Sequence, residues 1–546
     1  MTLDFLSAGV FDQVGSDARR PVIMAFMVFV GATLLWLLML AAVEEDTPEK
    51  LFVANRSLSP VFNGFAMAGE HISVLTLLGA SGVVALFGYD GVTFAVDGLL
   101  TLGVMLILAQ RIRNSGRYTL GDIFALRASG VRPRIAANLV TLVITIPVLL
   151  VQLRAAGVSV AFLIGLPSAE AQVLCTVLMG GLVTCLAVVG GLRGTSFIHV
   201  VKVPVTLAAL AAVVFLTLGE FSWDPGRFLS AAIERSVAPD DYLAPGLWPY
   251  TEAFGPLNTL GNHIVVILGA AVLPQMILRV NASQTGRAAR RSMSIAVGLV
   301  GAFVILLIAA GFAASAVVGG KSLYAVDVSG QSSFISLAAG VLDDGSAARV
   351  ALITVVACVV FLAVLTTVAS ATFAAAVSLT HDASARGVTR QKGEHFGTRG
   401  REVRRVRRTA VFVGISGLSL SAVTHRYPME FLATFSLSVA ASCIFPALIY
   451  SFFWRRFNQR GMLWSVYGGL AICLILTAFS PTISGTAFAL WPDVHFDWYP
   501  LQSPGIVSVP AAFVLGWLGS VTPPENPECD FRNIEYKSLT GKELTP

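Results

Sequence analysis

The chain has 546 residues, of which 55% are hydrophobic and only 13% charged, with a mean hydropathy of +0.77. A soluble domain carries roughly 25% charged residues, so this composition argues against a set of soluble domains. The net charge of +5 is no sign of nucleic-acid binding, because the basic residues sit in short stretches between apolar blocks. Six cysteines are scattered without a CxxC or Cys/His cluster, which leaves neither a disulfide framework nor a zinc site.

The apolar blocks are about 17–25 residues long, enough to cross roughly 30 Å of hydrocarbon. Thirteen spans are predicted. In chain order they lie near 21–42, 61–88, 92–110, 135–164, 170–190, 195–218, 258–278, 293–318, 348–379, 408–424, 429–453, 462–480 and 504–521. The first is read as a retained helix, since Glu44, Glu45 and Asp46 follow it instead of a small-residue cleavage site. Beyond the last span, residues 522–546 are polar and carry Pro523, Pro524 and Pro527, and a mobile tail is expected.

Cytoplasmic loops retain Arg and Lys. Basic residues crowd loops 111–134, 279–291 and 382–408 and the segment Arg455–Arg460, whereas 219–257, 319–347 and 481–503 are poor in them. The alternation predicts an outside N-terminus and a cytoplasmic C-terminus in a cell membrane. No GxxxxGK[ST] motif suggests an ATP-driven pump.

An ionisable group inside a span costs roughly 2.5–3.5 kcal/mol on insertion scales, so each is a site hypothesis. The second span places Glu70 and His71 beside Gly64 and Gly69, the pattern of an interrupted helix whose freed carbonyls coordinate a cation. The alternative is that Glu70 merely lies in water at the span's outer end. Asp97 lies in the third span and Arg154, with Gln152, in the fourth. A guanidinium at depth needs an acidic partner or an anionic ligand: Arg154 pairs with Glu70 or Asp97, contacts a substrate carboxylate, or does each in turn. Asn262, His263, Gly269, Pro274 and Gln275 interrupt the seventh span in the same way. Interrupted spans at matching places in two halves point to a substrate site between the repeats. In the ninth span Ala363, Thr366, Thr367 and Ser370 share one helix face. They form either a hard-oxygen cation site or a packing face with hydroxyls bonded back to the helix.

These segments together resemble the sodium:solute symporter family, in particular its cation/acetate symporter branch. The resemblance runs from about residue 51 to 480. It rests on FVANRSLSP (52–60), GYDG (88–91), AQRIRNSGRYTLGD (109–122), VVGGLRGTSFIHVVK (188–202), LPQMILR (273–279), LTHD (379–382) and AASCIFP (440–446). It implies an all-α polytopic fold with a LeuT-like five-plus-five inverted repeat, one extra N-terminal helix and two extra C-terminal helices. The division expected is 1–60 for the extra helix and loop, 61–218 for the first repeat and 219–257 for an extracellular loop. The second repeat takes 258–453, the two C-terminal helices 454–521, and the tail 522–546.

The resemblance also implies alternating access without covalent chemistry, so no enzyme is expected. It implies a Na⁺ site made by the carbonyls of Gly69 and Ile72 with Ala363, Thr366 and Thr367. The substrate, a small carboxylate such as acetate, propionate or pyruvate, is expected near Glu70, His71, Ser73, Arg154 and Gln275. The branch usually has Asp-Tyr-Met-Ser where this chain has Glu70–His71–Ile72–Ser73, and a His where it has Gln275. The lipid bilayer and the solute are the partners expected; no nucleic acid and no obligate protein partner are. Coupling to H⁺, another solute, and an ion channel are the rival readings.

Overall fold

A computed structural model describes residues 14–42, 53, 56–128, 130–166, 168–248, 254–382, 399–425, 427–486, 489–521 and 531–542. The basic stretch 383–398 and residues 522–530 lie outside them. Among the described residues the regular structure is helical throughout.

Helix α1 is Ser16–Ala42; α2, Pro60–His71, and α3, Leu75–Phe87, are one span bent by 58° at residues 72–74. The first repeat continues with α4 (Tyr89–Ser115), the short α5 (Leu120–Phe124), α6 (Arg132–Ile164), α7 (Ala169–Gly191) and α8 (Gly194–Glu220). After α9 (Pro225–Glu234), the second repeat opens with another broken span, α10 (Gly255–Ala271) and α11 (Pro274–Asn281). It goes on through α12 (Gly286–Val317), two short helices α13 (Gly320–Val326) and α14 (Ser333–Gly340), α15 (Ala347–Asp382), α16 (Arg399–Val423) and α17 (Met429–Phe453). Helices α18 (Gln459–Ala478), α19 (Gly505–Val521) and α20 (Phe531–Thr540) complete the chain.

Among the described residues eleven helices are long and apolar enough to cross a membrane, and the bent α2–α3 pair makes twelve. The thirteenth span expected is α19, an apolar helix of only 17 residues that packs along α18. Large apolar side chains such as Met24, Ile107, Ile305, Phe412 and Val514 are exposed on the outer helices, as a lipid-facing belt requires. Small residues fill the centre. α15 is almost wholly buried along Val356–Ser378, where Ala, Ser and Thr let α6, α7 and α8 approach closely.

Both predicted interruptions are present, and each has a local cause. At the first, the Thr76 hydroxyl donates to the His71 carbonyl over 2.8 Å and accepts from the Ser73 amide over 2.9 Å. The Ser73 hydroxyl accepts in turn from the Thr76 amide, so the groups freed by the break are capped locally. At the second, Leu273 is extended (φ −56°, ψ 138°), the conformation that a following proline imposes. Gly69 is required by proximity: a Cβ there would lie 2.3 Å from His199 Nδ1.

Among the described residues, the basic segments near 111–134 and 279–291 and the chain around 451–454 meet on one face. Arg113 donates to the carbonyls of Ser283 and Gln284, and Arg127 to those of Ser451 and Trp454, so these arginines also close helix ends. Of the tail, expected to be mobile, residues 531–542 are described and they carry a helix. Helix α20 docks on this face through Gln110 Nε2 to the Leu539 carbonyl (2.9 Å), Asn114 Nδ2 to the Ser538 carbonyl (2.9 Å) and Arg127 stacked over Phe531.

Candidate functional site

The two breaks face a common cavity of about 1000 Å³, counting its open mouth. Its walls are chiefly apolar, with Phe94, Phe303, Leu307 and Leu437 among them. Polar groups are few: His71, Ser73, Thr76, Thr101, Gln152, Gln275 and Thr367, with the edge of Glu70. Gln152 and Gln275 are buried, and the side-chain oxygen of each has no hydrogen-bond partner within the protein. A buried acceptor without a partner costs about 1–3 kcal/mol, so each of these two oxygens calls for a donor such as water, while a carboxylate could be met only by the amide N–H groups.

Behind the cavity lies a buried ionic cluster. Arg279 Nε donates to Glu70 Oε2 over 3.2 Å, and its terminal nitrogens donate to Ser196 Oγ (2.6 Å), Thr195 Oγ1 (2.9 Å) and Ser370 Oγ (3.2 Å). Ser370 also donates to Glu70 Oε2 over 2.7 Å, and His199 Nε2 stands 3.4 Å from the same oxygen. Glu70 is therefore not a wetted residue at a span end. Arg279, grouped by sequence with the basic loop 279–291, is instead fully buried, because the first turns of α11 carry it inward.

Arg154 does not reach the cavity and pairs with neither Glu70 nor Asp97. Its guanidinium donates to the carbonyls of Thr424, His425 and Tyr427, at the turn after α16. Those carbonyls end a helix and need donors, and the buried carboxylate of Glu430 is near enough to act on the same guanidinium. Asp97 forms its ion pair with His263, tying α4 to α10.

The residues expected to bind Na⁺ divide into two groups. The carbonyls of Gly69 and Ile72 and the hydroxyl of Thr366 converge on one point, and the ammonium of Lys202 is there. Nζ lies 2.6 Å from the Gly69 carbonyl, 2.9 Å from that of Ile72 and 2.9 Å from Thr366 Oγ1. The Ala363 carbonyl is occupied by the hydroxyls of Thr366 (3.1 Å) and Thr367 (2.9 Å), which bond back to their own helix, and Thr367 borders the cavity. The donor chemistry suits a hard cation, but a sodium ion does not fit while Lys202 remains. Two unit charges about 3 Å apart repel by about 5 kcal/mol at an effective dielectric constant of 20. Lys202 and His199 lie one turn apart on α8, inside the predicted span 195–218. The cost of ionisable groups in a span was signal enough to single them out.

On the basic face, Thr119 donates to Asp382 Oδ1 over 2.9 Å, and Arg134 Nη1 lies 2.8 Å from Asp122 and 3.3 Å from Asp382. His381 reaches Asp122 over 3.2 Å. Burial alone would raise the Asp122 carboxyl, but the hydrogen bond from His381 and the charge of Arg134 outweigh it and hold it well below the usual carboxylate range.

Two broken spans at matching positions of two five-helix repeats, with a cavity between them, are the architecture of membrane carriers of the inverted-repeat type. The chain belongs to the sodium:solute symporter family, whose profile matches residues 51–469. It is 29% identical to a monocarboxylic acid transporter of Corynebacterium glutamicum over 544 residues, covering 97% of each protein. It is 30% identical to an uncharacterized symporter, YwcA, of Bacillus subtilis, covering 95% of this chain and 98% of that one. A solved structure of a Na⁺-coupled sialic acid symporter shares the fold, with a TM-score of 0.67, 13% identity, and coverage of 92% of this chain and 97% of that one.

Proposed function

We propose that the protein imports a small monocarboxylate across the cell membrane by cation-coupled symport and alternating access. The observation that carries this reading is the cavity's division of labour. The lining offers a few polar groups, among them Ser73 and the side-chain amides of Gln152 and Gln275, whose N–H groups can donate to a carboxylate, and the greater part of the wall is apolar. That suits a carboxylate with a short acyl tail such as propionate or pyruvate. A sugar would need polar partners around its whole circumference, and each hydroxyl buried without one is costly. The monocarboxylic acid transporter named above, alignable over nearly its whole length, favours the same substrate class.

His71 flanks the acid, and Glu70 acts from behind by holding α2 against α11. The basic face with its docked α20 is the cytoplasmic side, which puts the N-terminus outside. The test is uptake of radiolabelled acetate, propionate, pyruvate and glucose into proteoliposomes under imposed ion gradients. Accumulation of an acid that collapses with the gradient, and counterflow by unlabelled acid, is the expected result. Uptake of none of the acids, or flux without counterflow, refutes the reading; the latter is channel behaviour.

A further inference from the structure

Lys202 presents a compact charge with three donors, and the Gly69 carbonyl, the Ile72 carbonyl and Thr366 Oγ1 take all three. The fit is built from both sides. The Thr366 hydroxyl spends its own proton on the Leu362 carbonyl at 2.8 Å, which leaves a lone pair for the ammonium. The bend after α2 frees the Ile72 carbonyl from its helix, and Lys202 is fully buried between the two repeats' elements. An ammonium here joins α2, α8 and α15, from three separate parts of the chain.

We propose that the Lys202 ammonium is a tethered cation standing in for a metal ion at the junction of α2, α8 and α15, so that this site takes no sodium. The inference rests on the chain's being a carrier. It changes what the junction does. A free ion arrives, fastens the helices and leaves with the solute, whereas a tethered one fastens them without waiting for an ion and carries no charge across. Any sodium ion that drives uptake therefore binds elsewhere in the molecule.

The experiment needs no substrate, so it fails or succeeds independently of the monocarboxylate reading. Thermal melting of the purified protein is compared in sodium, potassium and choline chloride at equal ionic strength, with ²²Na⁺ binding measured alongside. The readout is a Na⁺-selective response that Thr366→Ala removes. Wild type is expected to show none. Lys202→Ala opens the three oxygens and is expected to gain such a response, a rise of a few degrees in sodium alone that Thr366→Ala then abolishes. Lys202→Met refills the space without the charge and is expected to gain none. If Lys202→Ala survives purification only in sodium, that too supports the inference. A Thr366-dependent sodium response in wild type overturns it, whether or not any variant folds. So does a folded Lys202→Ala protein indifferent to sodium.

Discussion

Arg279 and Glu70 form an ion pair in which both side chains are almost wholly out of solvent, and it ties the first broken span directly to the second. Glu70 stands two residues before the first break and Arg279 within the short helix that follows the second, so the pair fixes how the two half-helices are aimed. Removing one partner of a buried pair costs about 3–5 kcal/mol, because it strands the other charge. Glu70→Gln and Arg279→Gln are each expected to lower the melting temperature sharply. Their double variant should lose less than the two losses added together, by roughly 0.5–3 kcal/mol. Strict additivity across that cycle would mean that the two groups do not act on one another.

Gln152 and Gln275 should behave in the opposite way. Their side-chain oxygens lack partners inside the protein, so an apolar residue of similar volume removes an unmet polar group. Gln152→Leu and Gln275→Leu are expected to melt at or above the wild-type temperature. Each deletes a hydrogen bond to a charged ligand, worth about 1.5–3 kcal/mol, and should raise the half-saturating acid concentration by roughly tenfold or more. Uptake kinetics equal to wild type in both variants would remove these amides from the binding site.

For Arg154 the separation runs the other way. Its guanidinium is spent on the carbonyls after α16, so Arg154→Gln should destabilise the protein while half-saturation stays within about twofold. A tenfold rise in half-saturation at an unchanged melting temperature would return Arg154 to direct contact with substrate. The comparison with Gln275→Leu in one assay makes the two roles distinguishable.

Much of the architecture was readable because its signals are local. An apolar run declares a span by its length. A proline at 274 or paired small and polar residues at 69–73 declare a break, whatever lies around them. Partners are different, since they depend on residues far apart in the chain. Arg154 finds its acceptors 270 to 273 residues away, and nothing near 154 marks them. Arg279 reads as the first of a row of loop arginines, and only the path of α11 separates it from Arg287, Arg290 and Arg291. Lys202 was visible in an apolar block but looked like part of a signature. That its ammonium meets Gly69, Ile72 and Thr366 is a fact of three helices meeting. Of the oxygens expected to share one cation, those of Gly69, Ile72 and Thr366 meet the Lys202 ammonium, whereas the Ala363 carbonyl and Thr367 bond to each other.

The cluster on the basic face carries a pH dependence whose sign follows from Asp122. Its carboxyl is held below the usual range by His381 and Arg134, while in the unfolded chain it titrates near the ordinary value of about 3.9. A group depressed on folding stabilises the protein at pH values above its unfolded pKa, and that contribution is lost as pH falls toward the folded pKa. Asp122→Asn is therefore expected to lower the melting temperature by a constant amount from pH 7 down to about 5. The gap to wild type should then narrow below about pH 4, as protonation makes the two side chains alike. Taking the difference between the two proteins at each pH cancels the other carboxylates. A gap that stays flat to pH 3, or widens in acid, would show that Asp122 does not fasten loop 116–124 to the end of α15 through its charge.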